Sequence, residues 1–162
     1  MSNPMTDPTP PPGATDVGDD LSSIHLDQFL AHPPAKVWRA ITDPDLMARW
    51  LMPNDFKPVV GHRFTYTTKP MEAVGFDGIV RCEVLEVVRE RLLRISWRGG
   101  RDADWTVTWR LEPEGTGTRL FLDHEGFDPD DATQQLSRRI MGSGWRTGHF
   151  RAIATILDEL PN

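Results

Sequence analysis

The sequence predicts an α+β fold in which a twisted antiparallel sheet of about six strands wraps around a long C-terminal helix. Runs of alternating apolar and polar residues, joined by short connections, follow one another from about residue 62 to residue 125, and such runs are typical of β-hairpins. From about residue 132 to residue 160, apolar residues recur at spacings of three and four, which is typical of an amphipathic helix. One face of the predicted sheet is aromatic and must be covered, and this helix is the only predicted element long enough to cover it.

Composition excludes several classes of protein. The chain has 162 residues, which fits one ordinary domain, and a net charge of −6, which gives no general attraction to nucleic acid or to anionic lipid. No stretch approaches the roughly 18 apolar residues that a membrane span needs. Cys82 is the single cysteine, which excludes an internal disulfide framework. Arginine outnumbers lysine 15 to 3, as in many high-GC bacteria. We therefore expect a bacterial, cytoplasmic protein without a nucleic-acid or membrane partner.

The first 22 residues differ from the rest of the chain. They contain four aspartates, five prolines and no lysine or arginine, and their apolar residues show no period. Such a segment buries too little apolar surface to offset the entropy lost on ordering. We expect an acidic, proline-rich disordered tail over residues 1–22 and one domain over residues 23–162.

A strand and two short helices follow the predicted tail. Ile24 and Leu26 alternate with polar residues, and this strand ends at Pro33 and Pro34, because adjacent prolines stop a strand and suit the first turn of a helix. The first helix is marked by Val37, Trp38 and Ile41, and the second by Leu46, Met47 and Trp50, with Thr42 or Asp43 as its N-cap.

The central part of the chain predicts the remaining strands. They cover residues 62–67, 78–88, 93–97, 105–111 and 119–125, with a hairpin turn at residues 113–117. The alternation in the second of these runs slips near Val84 and Leu85, which predicts a β-bulge. In the final helix, Asp130, Asp131 or Thr133 is suited to the N-cap position. The segment Gly142-Ser143-Gly144 predicts a kink or a break.

Several short motifs occur in a specific order: PPAKVWRAIT at 33–42, DP at 43–44 leading to Trp50, GHRF at 61–64, GIV at 78–80, EV at 86–87, LRISW at 93–97, GTRLFLDHEGF at 117–127 and GW at 144–145. Over residues 23–160 they resemble the helix-grip fold of the START-like (SRPBCC) superfamily, and within it the family of the activator of Hsp90 ATPase. The resemblance implies a cavity between sheet and helix, often suited to an apolar small molecule, and no fixed catalytic set. The family usually has a second glycine after Gly61, and we expect His62 at the cavity rim instead.

His124 is the candidate for acid–base chemistry. Alternation places it on the same face as Leu120 and Leu122, which is the face assigned to the cavity. A histidine at the polar end of an apolar pocket can orient a ligand or exchange a proton near neutral pH. The alternative is a structural histidine whose ring nitrogens bond to backbone or to Trp145.

The aromatic residues are candidates for the cavity walls. Trp97, Trp109 and Trp145 are predicted as walls in preference to Trp105, and Trp50 is predicted at the mouth. The complete set of predicted ligand-binding residues is Trp50, Phe64, Tyr66, Trp97, Trp109, His124, Trp145 and His149.

The sequence therefore favours a module that binds an apolar or aromatic small molecule without turnover. No cofactor or metal is predicted, because Gly115-Thr116-Gly117 lacks the third glycine of a dinucleotide loop and the histidines lack ligand spacing. One alternative is a cyclase- or dehydratase-like enzyme in which His124 works with His149, Tyr66 or Arg63. Another is a regulator of an Hsp90-type ATPase, which rests on the family name alone and is disfavoured. A homodimer stays open.

Overall fold

The structure is a computed structural model that describes residues 20–100 and 103–161. The predicted disordered tail lies outside the described residues, except for residues 20–22. In that short segment the carbonyl oxygen of Asp20 accepts a hydrogen bond from the Arg138 guanidinium at 2.8 Å, and the carbonyl of Leu21 accepts one from Gln135 at 2.8 Å. The start of the described chain is therefore attached to the C-terminal helix.

The domain contains a six-stranded antiparallel sheet with the order β1-β6-β5-β4-β3-β2. The strands are β1 (Ser23–Leu30), β2 (Arg63–Thr67), β3 (Ile79–Val88), β4 (Leu92–Trp97), β5 (Trp105–Glu114) and β6 (Gly117–Glu125). The first strand pairs with the last, with Ile24 opposite His124. The pairing of β3 with β4 shifts between Val84 and Glu86, which confirms the predicted bulge.

Two short helices follow β1, α1 (Pro34–Thr42) and α2 (Pro44–Trp50), and a 3-10 turn (Glu72–Val74) precedes β3. Asp43 is the N-cap of α2, because its carboxylate accepts hydrogen bonds from the backbone of Asp45 and Leu46 at 2.9 and 3.4 Å. Within the described ranges, no helix is long and apolar enough to cross a membrane.

The C-terminal helix is continuous from Ala132 to Glu159 but changes its winding in the middle. It consists of α3 (Ala132–Ser143), a π-helical turn (Gly144–His149) and α4 (Phe150–Glu159). Of the predicted alternatives, a kink or a break at residues 142–144, the break does not occur, and the π-helical turn begins at Gly144. The Phe150 N–H bonds to the carbonyl of Trp145, five residues earlier, and this extra residue turns both aromatic side chains inward.

The core lies between the concave face of the sheet and this helix. Buried side chains from alternate positions of every strand face α1, α2 and the C-terminal helix, while the opposite face carries ion pairs such as Arg119 with Asp27 at 2.7 Å and Arg110 with Asp123 at 3.0 Å. This arrangement confirms the predicted α+β, helix-grip fold.

The C-terminal helix begins with a side-chain cap. Of the three candidate N-caps, Asp131 does the capping, accepting bonds from the backbone of Thr133 and Gln134 at 2.9 and 3.1 Å. We expect Asp131→Ala to lower the free energy of unfolding by about 1 kcal/mol in urea titrations. Asp130→Ala is the matched control and should change it by less than about 0.5 kcal/mol. Equal losses in both variants would contradict the assignment of the cap.

Candidate functional site

An apolar cavity of ≈ 270 Å³ opens between the sheet and the first half of the C-terminal helix. Its walls come from the segment after α2, the region around the 3-10 turn, the adjoining ends of β3, β4 and β5, and the helix from α3 into the π turn. The lining residues are Leu51, Met52, Thr68, Met71, Val74, Phe76, Val80, Trp97, Gly99, Trp105, Ser137, Ile140, Met141, Gly144, Trp145 and His149.

Three tryptophans form the aromatic wall of the cavity. Trp97 ends β4 and Trp105 begins β5, and the two residues stand opposite each other in the sheet. Trp145 of the π turn packs against Trp97 with ring centroids 5.7 Å apart. The cavity therefore lies at the end of the sheet where β4 ends and β5 begins.

Three of the eight predicted ligand-binding residues line this cavity: Trp97, Trp145 and His149. The other five, Trp50, Phe64, Tyr66, Trp109 and His124, lie in the core behind its walls. The preference for Trp109 over Trp105 must be reversed, because Trp105 is the residue that lines the cavity. Residues four apart on one strand face point the same way but lie about 13 Å apart, so Trp109 is at a different depth.

Trp50 is a structural residue rather than part of the cavity mouth. Its indole nitrogen donates a hydrogen bond to the carbonyl of Ala40 at 2.8 Å, and its ring stands edge-on to that of Trp109. This bond ties α2 to α1, because donor and acceptor belong to the two different helices. The predicted position at the mouth is therefore wrong.

His62 lies on the loop before β2 and not at the rim of the cavity, where the sequence predicts it. Its Nε2 lies 2.9 Å from the carbonyl oxygen of Asp55, and its ring lies parallel to that of Phe64. It does not line the cavity. The ring is held on the loop before β2, so it neither narrows nor lines the rim.

His124 is completely buried among aromatic rings. Trp97, Trp105 and Phe127 surround it with centroid distances between 4.8 and 5.6 Å. Its Nδ1 accepts a hydrogen bond from Trp145 Nε1 at 3.1 Å, so the neutral ring carries its proton on Nε2. Burial lowers its pKa from 6.5 to about 3.

None of the proposed partners of His124 forms a hydrogen bond with it. Among the described residues, His124 Nε2 has no hydrogen-bond partner, and the same is true of Tyr66 Oη and Trp109 Nε1. Arg63 is exposed and lies 3.5 Å from Glu83, while His149 bonds to the backbone of α2. A neutral imidazole whose Nδ1 is occupied can donate through Nε2, but it is poorly suited to exchange protons near neutral pH.

Among the described residues that line the cavity, His149 is the one histidine. Its Nδ1 lies 3.0 Å from the carbonyl oxygen of Trp50, and its ring packs edge-on against Trp145 at 5.2 Å. Burial lowers its pKa, although the bond to Trp50 opposes this shift. Within residues 20–100 and 103–161, no group of three or more histidine, cysteine or acidic side chains is arranged to hold a metal ion.

Comparison with known proteins identifies one family and several similar structures. The model of the family described as "Activator of Hsp90 ATPase homolog 1-like protein" matches residues 31–158. Protein MLL2253 of Mesorhizobium loti is 32% identical with a TM-score of 0.75, and the match covers 86% of this chain and 99% of that one. No curated protein matches the chain.

Two further structures are similar at lower identity. Protein BH1534 of Bacillus halodurans is 26% identical with a TM-score of 0.67, over 83% of this chain and 96% of that one. CalU16 of Micromonospora echinospora is 25% identical with a TM-score of 0.66, over 86% of this chain and 76% of that one.

The burial of His124 predicts a pH dependence of stability. Its pKa is about 3 in the folded protein and 6.5 when unperturbed, so between these values the unfolded chain binds a proton that the folded chain does not. Its contribution is complete above pH 6.5 and is lost as pH falls toward 3, with a slope of up to about 1.4 kcal/mol per pH unit.

His124→Asn isolates the contribution of His124 to this pH dependence. The asparagine side chain does not titrate, and its Oδ1 still offers an acceptor to the Trp145 indole. We expect the free energy of unfolding to fall less steeply in the variant than in the natural protein between pH 6.5 and pH 5. Parallel curves in the two proteins would show that His124 takes up its proton in the folded state.

Proposed function

The chain belongs to the activator of Hsp90 ATPase homolog 1-like family, and on this premise we propose that it is a small-molecule-binding domain that holds an apolar or aromatic ligand without turning it over. The family fold is of a ligand-binding type. The observation that carries the proposal is the cavity of ≈ 270 Å³, whose walls are formed mainly by aromatic, aliphatic and methionine side chains.

The size and walls of the cavity support a small apolar ligand. A cavity of about 150 Å³ is enough for one benzene ring, so this one has room for a molecule of about two rings. Met52, Met71 and Met141 are part of the lining, and methionines adapt to flat ligands and contact aromatic rings favourably. Met71 is also exposed, which supports access from solvent at its position.

Binding has more support than catalysis. The candidate acid or base, His124, lies behind Trp97 and Trp145 rather than in the cavity lining, and its Nδ1 is bonded to Trp145. A role as a regulator of an Hsp90-type ATPase rests on the family's name, and a homodimer rests on no feature of the described residues. Neither is part of the proposal. The single, buried Cys82 is compatible with the predicted cytoplasmic location.

Native mass spectrometry tests the proposal directly. Protein purified gently from its own host should carry an apolar small molecule at one copy per chain, and denaturation should release it for identification. Protein that is empty when isolated, and that also fails to bind neutral aromatic probes at saturating concentration, would contradict the proposal.

A variant that fills the cavity provides a further test of the proposed function. Gly144 lines the cavity, and a Cβ added there would meet no heavy atom within 4 Å beyond its chain neighbours and the surrounding helix backbone. We expect Gly144→Leu to occlude the cavity and abolish binding of the two-ring probe 2-naphthol, measured by fluorescence. Replacing a helical glycine should also leave stability unchanged or raise it by about 0.5–1 kcal/mol.

Gly148→Leu is the matched control for this variant. Gly148 lies in the same π turn, is exposed, has the same free space around its Cβ and does not line the cavity. It should gain the same helical stability and keep the affinity of the natural protein. If the probe binds equally well to both leucine variants, its site is not this cavity.

A further inference from the structure

The polar groups of the cavity restrict the chemistry of the ligand. Among the described lining residues there is no aspartate, glutamate, lysine or arginine. The lining side chains that can form hydrogen bonds through oxygen or nitrogen are the Thr68 and Ser137 hydroxyls, the Trp97, Trp105 and Trp145 indoles, and the His149 imidazole. A charged group on the ligand would lose its hydration in this environment without gaining a counter-charge.

Most of these polar groups offer no free acceptor. An indole N–H only donates, and two of the three indoles are already bonded, Trp105 to Gln134 at 3.3 Å and Trp145 to His124 at 3.1 Å. A hydroxyl can rotate to donate or to accept, so it does not select between ligand groups. Among the lining side chains, the imidazole of His149 is therefore the one suited to be a fixed acceptor.

The backbone contact of His149 determines its tautomer. A carbonyl oxygen only accepts hydrogen bonds, so the 3.0 Å contact with Trp50 requires the proton on Nδ1. In the neutral ring, Nε2 then carries a lone pair. Burial lowers the pKa of His149, which keeps the ring neutral at physiological pH. Nε2 is therefore an acceptor on a side chain that lines the cavity.

The same contact holds the ring in place. The Trp50 carbonyl lies at the end of α2, while His149 ends the π turn and packs against Trp145. The ring is thus fixed between two helices rather than free to change rotamer. A fixed acceptor in an apolar cavity favours a ligand that satisfies it and disfavours one that leaves it buried without a partner.

From this geometry we infer that the cavity selects a neutral aromatic molecule of about two rings that carries a hydroxyl or N–H group, which donates a hydrogen bond to Nε2 of His149. This inference rests on the proposed function and specifies the class of ligand. Three tryptophans and Phe76 provide the aromatic walls, and His149 provides the specificity.

The test compares two probes with the same ring system, one that carries a hydroxyl donor and one in which a methyl group replaces the donor hydrogen. We would measure binding of 2-naphthol and of 2-methoxynaphthalene by isothermal titration calorimetry at neutral pH. The natural protein should bind 2-naphthol roughly 3- to 10-fold more tightly, which is the value of one neutral hydrogen bond. The ratio of the two affinities, rather than either affinity alone, is the quantity to compare between variants.

Two variants of His149 identify the acceptor. His149→Asn has an amide nitrogen that can replace Nδ1 in the bond to Trp50 but no group at the position of Nε2, and His149→Phe keeps the aromatic contact with Trp145. Both should reduce the affinity ratio to about one. Thr68→Val and Ser137→Ala, which remove the two lining hydroxyls, are the controls and should leave the ratio unchanged.

Each outcome separates this inference from the proposed function. If both probes bind the natural protein with equal affinity, the cavity binds aromatic molecules but His149 does not select them, and the inference fails alone. If the ratio survives in both His149 variants, or disappears in Thr68→Val or Ser137→Ala, the acceptor is another residue and the inference also fails. If neither probe binds, the proposed function fails with it.

Discussion

The hydrogen bond from the Trp145 indole to the His124 imidazole joins the C-terminal helix to the last strand of the sheet. Both side chains are buried, where an unpaired polar atom is costly. The bond therefore fixes how the helix lies on the concave face. It also determines that Trp145 forms the inner wall of the cavity, with His124 behind it. The neutral state of His124 follows from the same burial.

The π turn divides the C-terminal helix into two parts that pack against different regions of the domain. In an uninterrupted α-helix, a residue five positions after Trp145 would be rotated away from it by more than a quarter of a turn. The i to i+5 bond between Phe150 and Trp145 brings both side chains inward. As a result, α4 packs closely against α1 and α2 and completes the core, whereas α3 and the π turn border the cavity. Gly144 leaves part of that border without a side chain.

The distribution of polar atoms in the interior matches this division. The completely buried atoms Tyr66 Oη, Trp109 Nε1 and His124 Nε2 have no partner among the described residues, and they belong to the core rather than to the lining. The described lining of the cavity has a single ionisable side chain, His149. Its Nδ1 is hydrogen-bonded to the backbone carbonyl of Trp50. The proposed recognition of a neutral ligand rests on this apolar enclosure and on the imidazole of His149.

The sequence by itself determined the order of the elements and the bulge at Val84, because periodicity, prolines and caps act between residues that are close along the chain, and the resemblance of its motifs indicated the family. It also placed Trp97, Trp145 and His149 among the candidates. Only the tertiary structure decided that Trp105 rather than Trp109 lines the cavity, that Trp50 bonds to α1, and that the helix passes through residues 142–144 without a break. These features depend on depth along a curved sheet and on packing between distant segments, and neither is encoded in local alternation.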